Sequence, residues 1–490
     1  MYNSIQQFNE IGVKILEEII RNFIEQQGKD IADLVIGLEK PLQELQRNLI
    51  TETLEIMDEV IRTSSERKQE WEIVKRNQSN SFMATCGNIE YERTYYKSKN
   101  TGERAYLVDK ATGIKSHMRI SNDVVIKAIE NAVDTSYRIS GEKAVNTKDV
   151  ISKQAVMKQI HELEIPKIKE VITEKKKARV LYIAADEDHV SLQFNQKKGD
   201  LRLDKNGRKQ NTLMPKLIYL FEGIEKEGAK NKRNKLVNKF HFGGVYNNSE
   251  DIWEEVVNYI DEHYDTTLLE KIYISGDGAA WIKTGIEMVG ANCRFILDKY
   301  HLNKYIVQAT SHLEDSIPDV RQAIYDSLSF ESKEEIKDIF SRILEQTTSP
   351  SKRKTVLRGR DYILNHWDGI VIVNNDPDAQ IGCSAEGHIS HIFSARLSSR
   401  PLGWSKVGAD KVSRLRVYKA NGGNIYDLVM YKKEKEKLEI KKEIQEQYDR
   451  EIKKRRKKYS DAWETSLVEA QSGKTDGLHY ALKSLRGICG

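Results

Sequence analysis

Five short apolar runs between residues 178 and 301 limit most strongly what this chain can fold into. They are ARVLYIAAD (178–186), TLMPKLIYLFEG (212–223), KFHFGGVY (239–246), KIYISGDG (271–278) and CRFILDKYH (293–301). The first three are close enough in sequence to be connected as hairpins, whereas helical patterns separate the later ones. Strands separated by helices are typical of parallel crossovers. The sequence therefore predicts an α/β region with a mixed sheet.

Two of these runs end in an aspartate. Asp186 closes the first and Asp277 the fourth, where it is followed by glycine. Ligands collect where the strand ends of open α/β sheets meet loops, and paired carboxylates there can share hard divalent cations such as magnesium. A third carboxylate would complete such a cage. Glu386 is the candidate, because its small Gly, Cys, Ser and Ala neighbours would let a backbone approach closely.

Each acid also has a simpler interpretation. A single Asp at a strand end is most often a turn former or a helix cap. Glu187 and Asp188 lie beside Asp186, and Asp188 could be the true ligand in its place. Glu386 could be a first-turn acid favoured by the helix dipole.

A histidine follows the fifth run. Asp298 and His301 are three residues apart, which on a helix places them on one face. His301 could position a scissile phosphate or orient a metal-bound carboxylate, and a simple cap pair at the helix start is the alternative.

Basic and histidine side chains follow Glu386. His388 and His391 have the spacing of a metal pair but no third soft ligand nearby, so they are interpreted as phosphate or surface contacts. Arg396 and Arg400, with Arg414, are residues of the type that binds phosphate.

The N-terminal third has a different character. Residues 1 to about 75 show helical periodicity, with Pro41 expected to separate two helices. Residues 82–108 predict a β-hairpin turning at residues 100–102, either structural or touching DNA. Residues 121–164 predict three short helices, the last capped by Ser152. Its polar side chains suit the second helix of a helix-turn-helix that enters the major groove of DNA, although any small helical bundle shares the pattern; they are Lys153, Gln154 and Lys158.

Composition argues against membrane-spanning and secreted classes of protein. No run of about 18 apolar residues occurs, so we expect no membrane span, and the N-terminus lacks a secretory pattern. The four cysteines, at 86, 293, 383 and 489, form no CxxC pair and are expected to be free thiols in a reducing cytoplasm. The net charge is only +5, but residues 432–458 contain 13 Lys/Arg against 7 Asp/Glu. That segment and the basic stretch 226–239 favour polyanions, or are merely solvated.

Several blocks resemble a known family. LYIAADEDHVSLQ, YISGDGAAWIK, FILDKYHLNKY and GCSAEGHISHIFSARLSSRPLGWS are similar to the core motifs of ISLre-type bacterial insertion-sequence transposases, which are related to Mutator-like transposases. The resemblance covers nearly the whole chain. It implies a DDE catalytic domain of RNase H-like fold, which the element order also indicates, with a helical insertion before the last acid. Family members more often have Gly after the first acid, where this chain has Glu187.

The resemblance carries roles onto residues of this sequence. It implies that Asp186, Asp277 and Glu386 are the three acids holding two Mg²⁺ or Mn²⁺ ions, and that Asp298 and His301 form the family's D-x-x-H element. The N-terminal third would recognise terminal inverted repeats. Target DNA and further copies of the chain are the other expected partners, no membrane partner is expected, and the expected location is cytoplasmic, associated with the nucleoid.

The predicted organisation has seven segments. They are a helical region (1–75), a β-hairpin region (76–118), a helix-turn-helix-like DNA-binding region (119–170), the first part of the catalytic core (171–301), a helical insertion (302–380), the final part of the core (381–425) and a basic helical tail (426–490). The expected function is that of an insertion-sequence transposase. The alternatives are an inactive, transposase-derived DNA-binding regulator and a general RNase H-like nuclease.

Overall fold

The computed structural model describes most of the chain up to residue 430. The ranges are 3–26, 30–166, 172, 174–194, 203, 211–228, 234–380, 385–400 and 402–430, with backbone alone at 385 and 386. Nearly all of the predicted basic tail, 426–490, therefore lies outside the described residues, although 425–430 are helical. The described residues form two compact units. Residues 3–128, 141–151 and 429–430 make the first, and most of the remainder, 129–140 and 152–428, makes the second.

The first unit combines helices with a three-stranded antiparallel sheet. The sheet has the order β1-β2-β3, and helix α3 lies against β2. Asp58 on α3 accepts hydrogen bonds from the backbone N–H (3.0 Å) and hydroxyl (2.6 Å) of Thr94 on β2. The elements of this part of the chain are α1 Asn3–Gln7, a π-helix Phe8–Gly12, α2 Val13–Glu25, α3 Ile31–Thr63, α4 Ser65–Glu70, β1 Trp71–Ala84, β2 Gly87–Ser98, β3 Arg104–Tyr106, α5 Leu107–Thr112, α6 Asn122–Asp134 and α7 Tyr137–Lys143. Residues 129–134 of α6 and 137–140 of α7 belong to the second unit.

Three predictions for this region need correction. Helix α3 continues through Pro41. The boundary with the preceding helix lies before Ile31 instead, where the Asp30 side chain accepts from the N–H of Ala32 and caps α3. The chain is extended from Trp71, where helix was predicted to residue 75. The run 82–98 is split at residues 85–86 between β1 and β2, whereas the predicted turn at 100–102 is present between β2 and β3.

The second unit is organised around a five-stranded mixed sheet with the order β10-β7-β4-β11-β12. Its strands are β4 Val180–Glu187, β7 Lys216–Phe221, β10 Phe240–Gly244, β11 Lys271–Gly276 and β12 Cys293–Leu297. Strands β4, β7 and β10 pair antiparallel, and β11 pairs parallel with both β4 and β12. This confirms the mixed sheet, with hairpin-type pairing first and crossovers later. Two small ribbons accompany it: β5 Val190–Ser191 with β6 Thr212–Leu213, and β8 Gly223–Lys226 with β9 Asn234–Val237.

Helices cover both faces of this sheet. On one face α9 Ser249–His263 and α10 Ala280–Val289 bury alternate residues of β4 such as Leu181 and Ile183. On the other face Tyr182 and Ala184 pack with Tyr273 of β11. Because β4 is buried on both sides, it reads as a continuous apolar run up to Asp186.

A series of helices follows β12, and we call it the helical insertion. It comprises α11 Lys299–Thr310, a 3₁₀ turn Glu314–Ser316, α12 Ile317–Ser329, α13 Lys333–Gln346, α14 Pro350–Asn365, α15 Trp367–Asn375 and a second 3₁₀ turn Pro377–Gln380. These helices share a core that includes Ile306, Phe340 and Ile363. Helix α15 packs on β12, so the insertion also covers part of the sheet.

The remaining helices of the second unit lie before the sheet and after the helical insertion in the chain. They are α8 Lys153–His161, α16 Ala385–Ile389, a π-helix Ser390–Ser394, α17 Ala395–Leu397 and α18 Lys406–Ala420. Edge strand β10 is covered by α18 and the turn after it. The side chain of Asn421 accepts from the backbone N–H of His241 (2.8 Å) and donates to its carbonyl (2.7 Å). No helix among the described residues is long and apolar enough to cross a membrane.

Candidate active site

Three aspartates stand at the same level on three neighbouring parallel strands. The register pairs Ser275 with Ala184 on one side and with Ile296 on the other. Two residues further along each chain lie Asp186, Asp277 and Asp298, which we call the acid row. The backbone N–H of Asp298 bonds to the carbonyl of Gly276 at 3.0 Å, which continues the pairing. Because neighbouring strands are about 4.8 Å apart, adjacent acids of the row start from Cα atoms about 5 Å apart.

Glycines allow this alignment. A Cβ on Gly276 would lie 2.8 Å from the carbonyl oxygen of Ala185, so there is no room for a side chain at this position just before the acids. Gly278 has a φ of 84°, in the left-handed region that favours glycine. The turn there lets Asp277 Oδ1 accept a 2.8 Å hydrogen bond from the N–H of Ala279 at the start of α10.

The third acid of the row is paired with a histidine. Asp298 is 3% exposed, and its Oδ1 accepts from the N–H of Tyr300 at 3.0 Å, so it caps helix α11. Its Oδ2 lies 3.4 Å from Nδ1 of His301. Burial alone would lower the pKa of His301, but the carboxylates of Asp298, Asp186 and Asp277 together raise it. The interpretation of Asp298 as a helix cap is confirmed, whereas a role of His301 toward a phosphate or a metal-bound carboxylate stays a prediction.

The helical insertion contributes a tyrosine to the site. The hydroxyl of Tyr362 on α14 donates a 2.7 Å hydrogen bond to the backbone carbonyl of Asp277. Its ring stacks on Tyr305 of α11, with centroids 3.8 Å apart and planes at 14°. Burial first, and then the nearby charges of Asp277, Asp298 and Asp186, raise the pKa of Tyr362. The phenol therefore stays protonated at any pH near neutrality.

A second residue of α14 stands behind the turn. The Nδ1 of His366 lies 2.9 Å from the carbonyl oxygen of Tyr362. Its Nε2 is buried without a hydrogen-bond partner among the described residues, and a Cβ on Gly278 would come within 2.0 Å of it. His366 thus fills the space that the missing side chain of Gly278 leaves.

The acids that follow Asp186 have partners of their own. The indole N–H of Trp281 donates to Oε2 of Glu187, and burial raises the pKa of that carboxyl. Asp188 is 7% exposed and its Oδ1 accepts from the hydroxyl of Ser398 at 2.8 Å. Of the three acids in sequence, Asp186 is the one whose charge raises the pKa values of both His301 and Tyr362.

The position of Glu386 is described in part. It is the second residue of α16, and α16 packs against β4, the strand that carries Asp186. Its side chain lies outside the described residues. Within the part of the chain that is described, no group of three or more His, Cys, Asp or Glu side chains has the geometry to hold a metal ion.

The charge at the acid row nevertheless fits a divalent cation. Three carboxylates follow one another at matching register, and their charges raise the pKa of both His301 and Tyr362. Oxygen ligands of this kind suit Mg²⁺ or Mn²⁺. The donors present therefore match the group that the family resemblance implies.

Comparison with known proteins identifies the family. The model of an uncharacterised protein family, UPF0236, matches residues 24–434. The chain belongs to the UPF0236 family. A UPF0236 protein of Caldanaerobacter subterraneus subsp. tengcongensis is 42% identical over 421 residues, 86% of this chain and 83% of that protein. A UPF0236 protein of Streptococcus gallolyticus is 24% identical over 412 residues, 81% of this chain and 84% of that protein.

Two solved structures were also found. The Drosophila P element transposase strand transfer complex matches with a TM-score of 0.21 and 11% identity, over 66% of this chain and 83% of that one. The Mos1 transposase paired-end complex matches with a TM-score of 0.13 and 12% identity, over 54% and 81%.

The predicted DNA-reading helix is present without its helix-turn-helix. Ser152 caps α8 by accepting from the N–H of Ala155 at 3.2 Å, and the polar residues Lys153, Gln154 and Lys158 are exposed. Residues 144–152 separate α7 from α8, however, which is longer than the three- or four-residue turn of that motif. Helix α8 instead packs against α18.

Arg396 is a structural residue rather than the DNA contact that the sequence predicted. It is 6% exposed. Its guanidinium lies 4.6 Å from the ring centroid of Trp404, and its Nε donates to the carbonyl of Ala132 at 3.1 Å. Burial lowers the pKa of Arg396 to about 10. Arg400, by contrast, is exposed.

His388 is half-buried and packed against the sheet, which corrects its interpretation as a phosphate or surface contact. Its ring stacks on Tyr219 with centroids 4.0 Å apart, and its Nδ1 lies 3.3 Å from Nε2 of His241. Burial lowers the pKa of His388 to about 4. His391 is exposed.

Sequence analysis missed three residues around the acid row. These are Trp281, Tyr362 and His366. The spacing of Tyr362 and His366, four residues apart in YILNH, was a usable signal for a shared helix face, as was the Trp in GDGAAWIK. Nothing in the sequence alone indicated which strand end they would meet.

Proposed function

We propose that this protein is a DDE transposase of an insertion sequence, which binds terminal inverted repeats and catalyses metal-dependent DNA strand cleavage and strand transfer. The observation that carries the proposal is the acid row. Asp186 and Asp277 lie at the ends of neighbouring parallel strands in matching register. The charges of both carboxylates raise the pKa of His301 and of Tyr362.

The strand order supports an RNase H-like core. Numbered along the chain, the five strands stand in the order third, second, first, fourth, fifth, with the first three antiparallel and the last two parallel to the first. A helical insertion then precedes the helix that carries Glu386. This agrees with the organisation that the resemblance to ISLre-type transposases implies.

The acids would hold the metal ions. In this proposal Asp186, Asp277 and Glu386 would hold two Mg²⁺ or Mn²⁺ ions; such ions, when bound, would supply activation of a water or DNA 3′-hydroxyl and stabilisation of the leaving oxygen. Glu187 and Asp188 stay outside this set, because Trp281 and Ser398 already bond to them.

The chain's own contribution is positioning and charge. Asp298 holds His301 beside Asp186 and Asp277, and these carboxylates raise the pKa of the imidazole, so that a protonated His301 would offer positive charge to a phosphate oxygen. Tyr362 fixes the backbone of Asp277 through its carbonyl. Strand cleavage needs little covalent work from the protein, so this fixed arrangement supplies much of the rate.

The relatives' names add support of another kind. Three UPF0236 proteins of Caldanaerobacter subterraneus carry names that join eleven, four and two locus designations. One protein encoded at many positions of a genome is what a mobile element produces. The proposed contacts with DNA outside the acid row are the exposed residues Lys153, Gln154, Lys158 and Arg400.

Nicking of a DNA duplex that contains the element's end tests the proposal. Asp186→Asn and Asp277→Asn should each abolish Mg²⁺-dependent cleavage while DNA binding survives. Asp338→Asn, at an exposed site on α13, is the matched control and should cleave normally. Cleavage by the Asp277→Asn protein would end the proposal. Binding of the ends with no cleavage by the natural protein would favour the inactive regulator, and cleavage that ignores the end sequence would favour a general nuclease.

A further inference from the structure

The helical insertion divides its charge unevenly between two pairs of helices. Helices α11 and α14 together carry seven Lys/Arg and one acid, Asp361. Helices α12 and α13 carry four Lys/Arg and six Asp/Glu. An ordinary solvated surface mixes both signs, so this segregation within one small helical region needs a reason.

Three of the cations lie on one side of the α11–α14 pair, and we call them the basic track: Lys304, Lys354 and Arg358. On α11, His301 and Lys304 are three residues apart and share a face. On α14, Lys354, Arg358 and Tyr362 follow at intervals of four and also share a face.

The two faces adjoin and begin at the acid row. Gly359 lets the two helices pack closely, since a Cβ at this position would lie only 2.9 Å from the side chain of Ala309. The stacked rings of Tyr305 and Tyr362 join the helices near the site. The start of α11 and the end of α14 both meet the acid row: His301 Nδ1 lies 3.4 Å from Asp298 Oδ2, and the Tyr362 hydroxyl donates to the carbonyl of Asp277 at 2.7 Å. The basic track therefore leads outward from the row.

The cations of the basic track are available for a ligand. All three are exposed, and none forms an ion pair with a residue that the structure describes. The single acid of the pair, Asp361, is already bonded to Arg360 at 2.9 Å. With a rise of 1.5 Å per residue, Arg358 lies about 6 Å and Lys354 about 12 Å along the helix from Tyr362. A DNA strand advances 3.4 Å per nucleotide, so the track spans about three to four phosphates.

We propose that the basic track binds the phosphate backbone of the duplex whose scissile phosphate lies at the acid row, on the strand that leaves the site along α11 and α14. The position of the scissile phosphate rests on the proposed function. The charge pattern and the direction of the basic track do not depend on the proposed function. They favour a polyanion whose charges are regularly spaced along a strand. Recognition here is of the backbone, so it holds for any base sequence.

The test measures binding separately from cleavage. Full-length protein is titrated onto a short fluorescein-labelled duplex in EDTA, over a range of salt concentrations. Lys304→Ala/Arg358→Ala should bind more weakly, and the slope of log K against log salt should become shallower by about 1.8, or about 0.9 per lost phosphate contact. The control Lys337→Ala/Arg342→Ala removes two exposed cations from α13 and should leave the slope unchanged. Lys304→Gln/Arg358→Gln repeats the test if the first variant folds poorly.

A cross-linking experiment adds the position. Benzoylphenylalanine at 304 should cross-link to DNA within a few nucleotides of the cleaved bond, and at 337 it should not. An unchanged slope in the track variant, or an equal loss in the control, overturns the inference even if the natural protein cleaves DNA. Conversely, a shallower slope in a protein that never cleaves would support the track and remove the transposase proposal.

Discussion

The hydroxyl of Tyr362 and the backbone carbonyl of Asp277 form a 2.7 Å hydrogen bond between the helical insertion and the sheet. Tyr362→Phe removes this bond and keeps the stacking on Tyr305. A buried hydrogen bond contributes about 1 kcal/mol, so cleavage should fall by roughly three- to tenfold as Asp277 loses its support. Rates of nicking measure the effect. Tyr325→Phe, which removes an exposed tyrosine bond to Asn303 in the same insertion, is the control; equal rates for both variants would contradict the role of Tyr362.

The close approach of β4 and β11 can be tested at Gly276. In Gly276→Ala the added methyl group meets the carbonyl oxygen of Ala185 and the side chain of Ile282, at 2.8 and 2.7 Å. We expect a loss of about 1–3 kcal/mol in the free energy of unfolding and a larger loss of cleavage, because the acids move apart. Urea denaturation and nicking assays measure the two. Gly223→Ala, with no atom within 4 Å of the new Cβ, should change neither. A fully active Gly276→Ala protein would show that the row tolerates a wider gap.

Single substitutions of the three consecutive acids at 186–188 should have different effects on cleavage. Glu187→Gln keeps an oxygen for the indole N–H of Trp281, so cleavage should stay within a few-fold of the natural protein. Asp188→Asn likewise keeps an acceptor for Ser398. Asp186→Asn should lower cleavage by about 10³-fold or more. Single-turnover rates with saturating DNA decide among them, and the reverse ranking of Asp186 and Asp188 would move the first metal ligand to Asp188.

Arg396 and Arg400 should respond in opposite ways to truncation. Arg396→Ala empties a buried site against Trp404 and leaves the carbonyl of Ala132 without its donor. The expected loss is about 2 kcal/mol in the free energy of unfolding. Arg400→Ala should leave stability unchanged and weaken DNA binding. Denaturant titrations and fluorescence anisotropy measure the pair; an Arg396→Ala protein of normal stability that fails to bind DNA would restore the sequence interpretation.

Much of the second unit could be predicted because its strands are visible in the sequence as short apolar runs. Strand β4 is buried on both faces, so its residues form an unbroken apolar run, and the run stops at Asp186, near the C-terminal end of the strand. The same holds for β11 and Asp277. Local patterns therefore located the strand ends, and the parallel pairing brought the acids into one row.

What could not be predicted depends on contacts between distant parts of the chain. Arg396 looks like a surface cation in its own segment, and only Tyr137 and Trp404, far away in sequence, bury it. Pro41 is a helix breaker by its own chemistry, yet α3 continues through it and packs along β2. Tyr362 reaches Asp277 across 85 residues. Local periodicity carries no information on such pairings.

The anchoring of α14 and α15 to the sheet has a mechanical consequence. A loop-out of some 80 residues held only at its two ends could swing without disturbing the strands. Here the insertion also contacts the sheet between its ends. Tyr362 donates a hydrogen bond to the carbonyl of Asp277, and Gly369 lies in close contact with Phe295 on β12. A displacement of these helices would therefore act directly on the hydrogen bond that supports the backbone carbonyl of Asp277.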